Sequence, residues 1–324
     1  MSLIAPPSHA ALSAIGRRFE VEPNAIHPLP SGEANHAFRL GDDLILRIPQ
    51  NDGQLAADLL KERIVIPVAR SNGVLTPEIV AFDGSGADIA APYLVSRRVS
   101  GTDLERAAMR ADQVMPIYRE VGRNLALLHA ATVGGKGVPA GVPVDDGGDD
   151  PCALLDPLVR DRALDPDSSQ WLRSWFERLA PSVPEEPVPV LIHGDIAPRN
   201  LLADPETGRL TGLVDWGDAA LADPAMDFAK LPLTVLPAAL EGYLGQDDWS
   251  GAGLRSWLAR AFRYQLHWAV AALGRRDPAT GDLLPPGPAM ARLMVVLRHL
   301  IDSADGPWRW LREGPDETSR SFIG

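Results

Sequence analysis

Leu191-Ile192-His193-Gly194-Asp195-Ile196-Ala197-Pro198-Arg199-Asn200 has the form H-G-D-x-x-x-x-N and ends an apolar run over residues 188–192. A second apolar run, residues 210–214, leads into Val214-Asp215-Trp216-Gly217, and Asp223-Pro224 and Asp227 follow. Two strand-like runs that each deliver a carboxylate to a loop suit phosphoryl transfer. That chemistry needs a carboxylate near the attacking hydroxyl and oxygen ligands that hold Mg²⁺ against nucleotide phosphates. Asp195 fits the first need. Asn200 and Asp215 supply the amide and carboxylate oxygens that Mg²⁺ prefers. Alone, His-Gly-Asp, Asp-Trp-Gly and Asp-Pro are ordinary turn sequences; the weight lies in all three occurring in order.

Upstream, Ser8 is placed to cap a short helix that carries Leu12, Ile15 and Phe19 at helical spacing. Residues 25–30, 35–40 and 43–49 read as short strands, with Ser31-Gly32-Glu33 and Gly41-Asp42 as the turns between them. Residues 54–71 form a helical pattern stopped by Asn72-Gly73. Residues 77–82 and 92–99 read as two more strands. The spacing therefore predicts an α+β chain: a small, mainly antiparallel sheet-rich lobe over 1–100 and a larger, mainly helical lobe over 101–324. In the second lobe, helices are expected at 104–130, at 168–179 and over most of the chain after Pro224. A Gly/Pro/Asp-rich loop is expected at 134–151.

The 324 residues carry a net charge of −12, which argues against nucleic acid and anionic membrane as partners. Only Lys61, Lys136 and Lys230 are lysines, so arginine dominates the cations. The single cysteine, Cys152, excludes an internal disulfide framework and a multi-cysteine metal site. The amino terminus shows no basic run before an apolar stretch, and no window reaches the ~18 apolar residues of a membrane span. A cytoplasmic protein is the expectation. Monomer and homodimer both stay open.

These motifs resemble the aminoglycoside phosphotransferase and choline kinase-like family, relatives of the protein kinases with H-G-D-x-x-x-x-N in place of H-R-D-x-x-x-x-N. The resemblance spans roughly residues 28–230 and implies a bilobal, protein-kinase-like fold with a nucleotide-binding first lobe. By it Asp195 would be the catalytic base, and Asn200 and Asp215 the Mg²⁺ ligands. Asp227 would brace the catalytic loop, Asp223 would be a turn or bracing residue, and His193 a loop anchor. The segment from Leu29 to His36 resembles the family's S-G-x-x-N turn, which would set Ser31, Gly32 and Asn35 at the phosphates. Arg47, in Leu44-Ile45-Leu46-Arg47-Ile48-Pro49, stands where a kinase carries its phosphate-binding lysine, with Glu62 as its partner. Arg97 to Val99 would form the hinge whose backbone meets the purine. The donor would be ATP or GTP, bound without a P-loop, since no lysine lies in G-x-x-x-x-G-K-[ST].

Residues 141–250 hold 21 acidic and 7 basic residues. Such a field favours a cationic small-molecule acceptor such as an aminoglycoside or a basic peptide antibiotic. The competing reading makes these carboxylates a solvated surface, with Asp145 to Asp150 a flexible loop. Trp171/Trp175, Trp308/Trp310 and the run from Tyr264 to Trp268 could instead line an apolar pocket of the kind a macrolide needs, although spacing of three to four residues more often signals helix core. An antibiotic acceptor is the leading expectation. A choline, amino-alcohol or sugar kinase is the alternative, and a nucleotide-binding pseudokinase the third. Retention of Asp195, Asn200, Asp215, Arg47 and Glu62 together argues against the last.

Overall fold

The computed structural model describes residues 3–29, 34–51, 53–148, 150–184, 187–245, 251–277, 279–285, 287–302 and 308. The first lobe is built on five antiparallel strands: β1 (Ile26–Pro28), β2 (Asn35–Leu40), β3 (Leu44–Pro49), β4 (Ile79–Asp83) and β5 (Tyr93–Arg97), in the order β1-β2-β3-β5-β4. Alternation drives it. Leu46 and Ile48 of β3, with Tyr93 and Val95 of β5, bury one face against Ile15 of α1 (His9–Arg17). The Ser8 hydroxyl accepts from Ala11 N at 3.2 Å and caps α1 as its sequence suggests. Helix α2 (Gln54–Ser71) connects β3 to β4, and Leu59, Glu62, Val65, Ile66 and Ala69 bury its inner stripe.

The second lobe adds β6 (Thr102–Asp103), α3 (Ala111–Ala131), α4 (Leu155–Arg160), α5 (Pro166–Leu179), β7 (Val190–Ile192), β8 (Leu201–Asp204), β9 (Arg209–Leu213), β10 (Ala220–Ala222), α6 (Ala225–Phe228), α7 (Leu236–Leu244), α8 (Gly251–Leu273) and α9 (Gly287–Asp302). Helices α3 and α7 pack closely: a Cβ on Gly122 would overlap the Ala239 carbonyl, so only glycine serves there. One large apolar core joins α2, α3, α7 and α8 with β8 and β9. Among the described residues no helix is long and apolar enough to cross a membrane.

Three local readings change. The helix expected from residue 104 starts at Ala111, because Thr102 and Asp103 pair with β8 and Leu104 N donates to the Pro198 and Leu201 carbonyls. Strands β8 and β10 were not expected; each is three or four residues long and exists through its ladder to β9 or β7. The acidic loop is not loose. Asp145 N donates to the Leu221 carbonyl at 2.9 Å and Leu221 N to the Pro143 carbonyl at 2.8 Å, pinning it to β10.

Candidate active site

Strand β7 pairs antiparallel with β10, Ile192 opposite Ala220, and the chain leaves β7 directly into His193. Two backbone amides of the next turn point at one carboxylate: His193 N donates to Asp227 Oδ2 at 3.0 Å and Gly194 N to Asp227 Oδ1 at 2.8 Å. His129 Nε2 donates to the same Oδ2 at 3.1 Å. The Tyr243 hydroxyl, kept protonated by burial, lends its proton to His129 Nδ1 at 3.1 Å. Gly194 has φ +83°, and a Cβ there would run into the Asp218 carbonyl. Asp227 therefore braces the loop, and Gly194 lets it turn.

His193 is an anchor as well. Its Nδ1 accepts from Asp195 N at 3.3 Å, which leaves Nε2 as the protonated nitrogen, donating to the Val214 carbonyl at 3.1 Å. Burial lowers its pKa, so the neutral tautomer that these bonds require is the one present. The ring lies against Trp216, centroids 4.5 Å apart. Trp216 is fully buried and donates from Nε1 to the Leu213 carbonyl at 3.1 Å.

Asp195 comes out of this turn only 7% exposed. Its Oδ2 accepts from Asn200 Nδ2 at 2.8 Å and from Arg199, while the Lys230 ammonium lies 3.9 Å from Oδ1. Asn200 Nδ2 also donates to the Asp195 carbonyl at 2.9 Å. With its nitrogen so engaged, Asn200 has its amide oxygen left for another partner. Val214 N donates to the Asn200 carbonyl at 3.0 Å, tying the end of β9 to the loop.

Asp215 sits at φ +66°, in the left-handed region that aspartate tolerates better than most residues. Its half-exposed carboxylate reaches to 4.0 Å from Arg47 Nη1. Arg47 grips Glu62 with both ends of its fork, Nη1 to Oε1 at 2.9 Å and Nη2 to Oε2. Burial works against both charges: it pushes the Glu62 carboxyl up, and the guanidinium keeps its proton because Glu62 lies against it. Removing one partner strands the other in a dry site. Glu62→Ala is expected to lower stability by about 3 kcal/mol, measured by chemical denaturation.

Asn35 opens β2 opposite Pro49, and its buried Oδ1 has no hydrogen-bond partner among the described residues. The Arg97 side chain points outward to Glu78 at 3.5 Å and its N–H donates to the Glu78 carbonyl at 2.8 Å, so that amide is already used. Val99 packs over Gly212 of β9. Ser31 and Gly32 lie outside the described residues. Asp223 is a brace: it accepts from Ala225 N at 2.9 Å, from the Tyr264 hydroxyl at 3.1 Å and from Arg260.

Sequence reasoning assigned no role to Arg199, Lys230, Asp218 or His129. Arg199 lies inside the motif and Asp218 one residue beyond Asp-Trp-Gly, but nothing in their spacing says where they point. Burial raises the Asp218 carboxyl, and the nearby Asp195 and Asp215 add to that. The tryptophans split into two sets. Trp175 and Trp308 pack around Phe262 in the helical core, while Trp171 lines a cleft of about 550 Å³ with Met290 and Met294 that contains none of the loop residues. Trp310 lies outside the described residues. Trp268 lies beneath the Lys230 ammonium, 4.7 Å from its ring centroid.

Among the described residues no three or more His, Cys, Asp or Glu side chains gather to hold a metal by themselves. An open Asp215 carboxylate and the free Asn200 amide oxygen fit an ion whose remaining ligands are water and phosphate, as Mg²⁺ usually has.

The sequence model described as "Phosphotransferase enzyme family" matches residues 25–279, most of the chain. The chain belongs to this family. An aminoglycoside 3'-phosphotransferase of Streptomyces fradiae is 28% identical over 211 residues, 63% of this chain and 71% of that protein. Two other relatives, 58% and 43% identical over 38 and 68 residues, are spanned over only 12% and 23% of their own lengths. In three dimensions the family fold is seen in the GDP complex of an aminoglycoside 2'-phosphotransferase-IIIa (TM-score 0.64, 22% identity, 89% of this chain and 95% of that one). It is seen again in a choline/ethanolamine kinase family protein from Mesorhizobium loti (TM-score 0.59, 18% identity, 92% and 97%). The bilobal kinase-like architecture follows.

Proposed function

We propose that this family member transfers the γ-phosphoryl group of ATP or GTP to a hydroxyl of a small molecule, an antibiotic first among the candidates. The observation that carries the reading is Asp195 itself: one oxygen is held by Asn200 and Arg199, and the other is left for an acceptor. An acceptor hydroxyl donates to Oδ1. As its oxygen bonds to the γ-phosphorus, the bond from that phosphorus to the bridging oxygen breaks, the proton passes to Asp195, and the nucleoside diphosphate leaves with the bridging oxygen. Mg²⁺, held by Asn200 and Asp215, would neutralise charge on the phosphates. Arg47 and Asn35, with Ser31 and Gly32, would position the nucleotide. With Arg97 N and Arg98 N bonded to the Glu78 and Asp43 carbonyls, the Val99 end of the segment from Arg97 to Val99 would meet its base.

The names of the relatives support an antibiotic acceptor. So does the acidic loop. Its Asp145 and Asp146 carboxylates each cap their own turn, and the loop lies along β10 and beside Tyr264 and His267 of α8. Cationic groups of an acceptor would be drawn there, away from Arg199 and Lys230. The choline/ethanolamine kinase neighbour keeps a metabolic amino alcohol as the second reading.

Nucleotide binding is read first, by calorimetry with ATP and GTP. Asp215→Ala is expected to weaken the Mg²⁺-dependent affinity by roughly tenfold or more, since a carboxylate ligand is lost from a site with few others. Unchanged affinity would remove Asp215 as the metal ligand. Acceptors are read by phosphoryl transfer to aminoglycosides, macrolides, choline and sugars. Transfer to choline or sugars only would overturn the antibiotic reading.

A further inference from the structure

Lys230 is one of three lysines in the chain and the one that the structure brings to Asp195. It follows α6, and its N–H donates to the Asp227 carbonyl at 3.4 Å. The residue that braces the catalytic loop thus also sets the backbone from which this side chain starts. The ammonium stops over the Trp268 ring of α8, 4.7 Å from its centroid, with the side chain about one-third exposed. Trp268 is seated in turn by Tyr264, 5.9 Å away, whose hydroxyl donates to the bracing Asp223. A flexible lysine is thereby held by a cation–π contact at one end and a fixed backbone at the other.

The charged groups that face it are Asp195 and Asp218, and Lys61 shares the Asp218 side of the site. At 3.9 Å the Lys230 ammonium is too far from Asp195 Oδ1 for a hydrogen bond but close enough for attraction. It therefore draws that oxygen without using its lone pair. Arg199 and Asn200 hold only Oδ2. A carboxylate anchored at one oxygen can still rock about that anchor, which displaces the other oxygen, and a cation beside Oδ1 opposes that motion.

We infer that Lys230 is a positioning residue for phosphoryl transfer: seated on Trp268, its ammonium keeps Oδ1 of Asp195 aimed at the acceptor hydroxyl. This rests on Asp195 being the base, and it adds a second element, α8, to the machinery around the loop.

Steady-state phosphoryl transfer from Mg–ATP or Mg–GTP decides it, with the acceptor that the wild type turns over, or water if only phosphate release is seen. Lys230→Met should lower kcat by roughly 10- to 100-fold, the range a small misplacement of a reacting group produces. Its KM for the nucleotide should stay within about twofold, because Lys230 meets the base and not Arg47, Glu62 or Asp215. Lys230→Arg should restore most of kcat. Trp268→Leu should lower kcat less, and should add nothing in the Lys230→Met background, as expected of two residues acting through one contact. A merely structural role would instead lower the melting temperature and nucleotide affinity together and would not be rescued by arginine. Unchanged kcat in Lys230→Met, with Asp195→Asn inactive, overturns this inference alone. Full activity in Asp195→Asn, or a wild type that transfers to neither acceptor nor water, overturns the base assignment and this inference with it. Should Lys230→Met not fold, the arginine and Trp268→Leu variants decide: kcat equal to wild type in the latter overturns the inference.

Discussion

Asp195→Asn is expected to lower kcat by roughly 10²- to 10⁴-fold while nucleotide affinity and folding stay near those of the wild type. Asparagine has the shape of aspartate, and its amide oxygen can keep the hydrogen bonds that Asn200 and Arg199 make to Oδ2. Its NH₂ group would then face the acceptor, where it can donate but cannot take a proton. The predicted loss is therefore in the chemical step and not in the architecture. The magnitude follows from general-base catalysis by a positioned carboxylate, and a loss of only about twofold would mean that some other group accepts the proton. Single-turnover kinetics with saturating nucleotide separate this from binding.

Asp227→Ala is expected to be the most destabilising substitution of the loop, by about 3–5 kcal/mol. The carboxylate is 0% exposed and is the shared acceptor for His193 N, Gly194 N and His129 Nε2. Alanine leaves three donors buried without a partner, each costing about 1–3 kcal/mol if water does not enter. Asp227→Asn retains one acceptor oxygen in place of two, so a smaller loss is expected. Chemical denaturation measures both. Activity should fall in the same order, since Asp227 fixes the turn that carries Asp195. Equal stability of Asp227→Ala and the wild type would show that the turn is held by the β7–β10 ladder alone.

How far the molecule could be read in advance varies by element. The strands of the first lobe were legible because their alternation survives in folded form: Leu46 and Ile48 are buried along β3 just as period two requires. The loop over residues 193–200 stands out in sequence because its residue types and order suit one reaction, and the structure brings Asp195, Asn200 and Arg199 of it together. β8 and β10 were not, since three or four residues carry no period and their pairing partners lie elsewhere in the chain. The start of α3 was misplaced for a similar reason: the contact of Leu104 N with the catalytic loop is tertiary and leaves no local mark. Side-chain direction was the least legible. Asp145 to Gly148 reads more readily as a solvated surface; Asp145 and Asp146 are exposed, and the pairing of Val144 with Leu221, which holds the backbone, leaves no local mark. Lys230 looked like any polar residue after a short helix, because the ring it rests on is 38 residues further along.

Whether Asp195 takes the proton from an acceptor hydroxyl as that oxygen receives a phosphoryl group is read by mass spectrometry of the acceptor after incubation with Mg–ATP or Mg–GTP. One added phosphoryl group on an oxygen of an antibiotic is expected with the wild type, and none above background with Asp195→Asn. A wild type that binds nucleotide yet phosphorylates nothing among aminoglycosides, macrolides, choline and sugars would contradict it, as would a variant that works as well as the wild type.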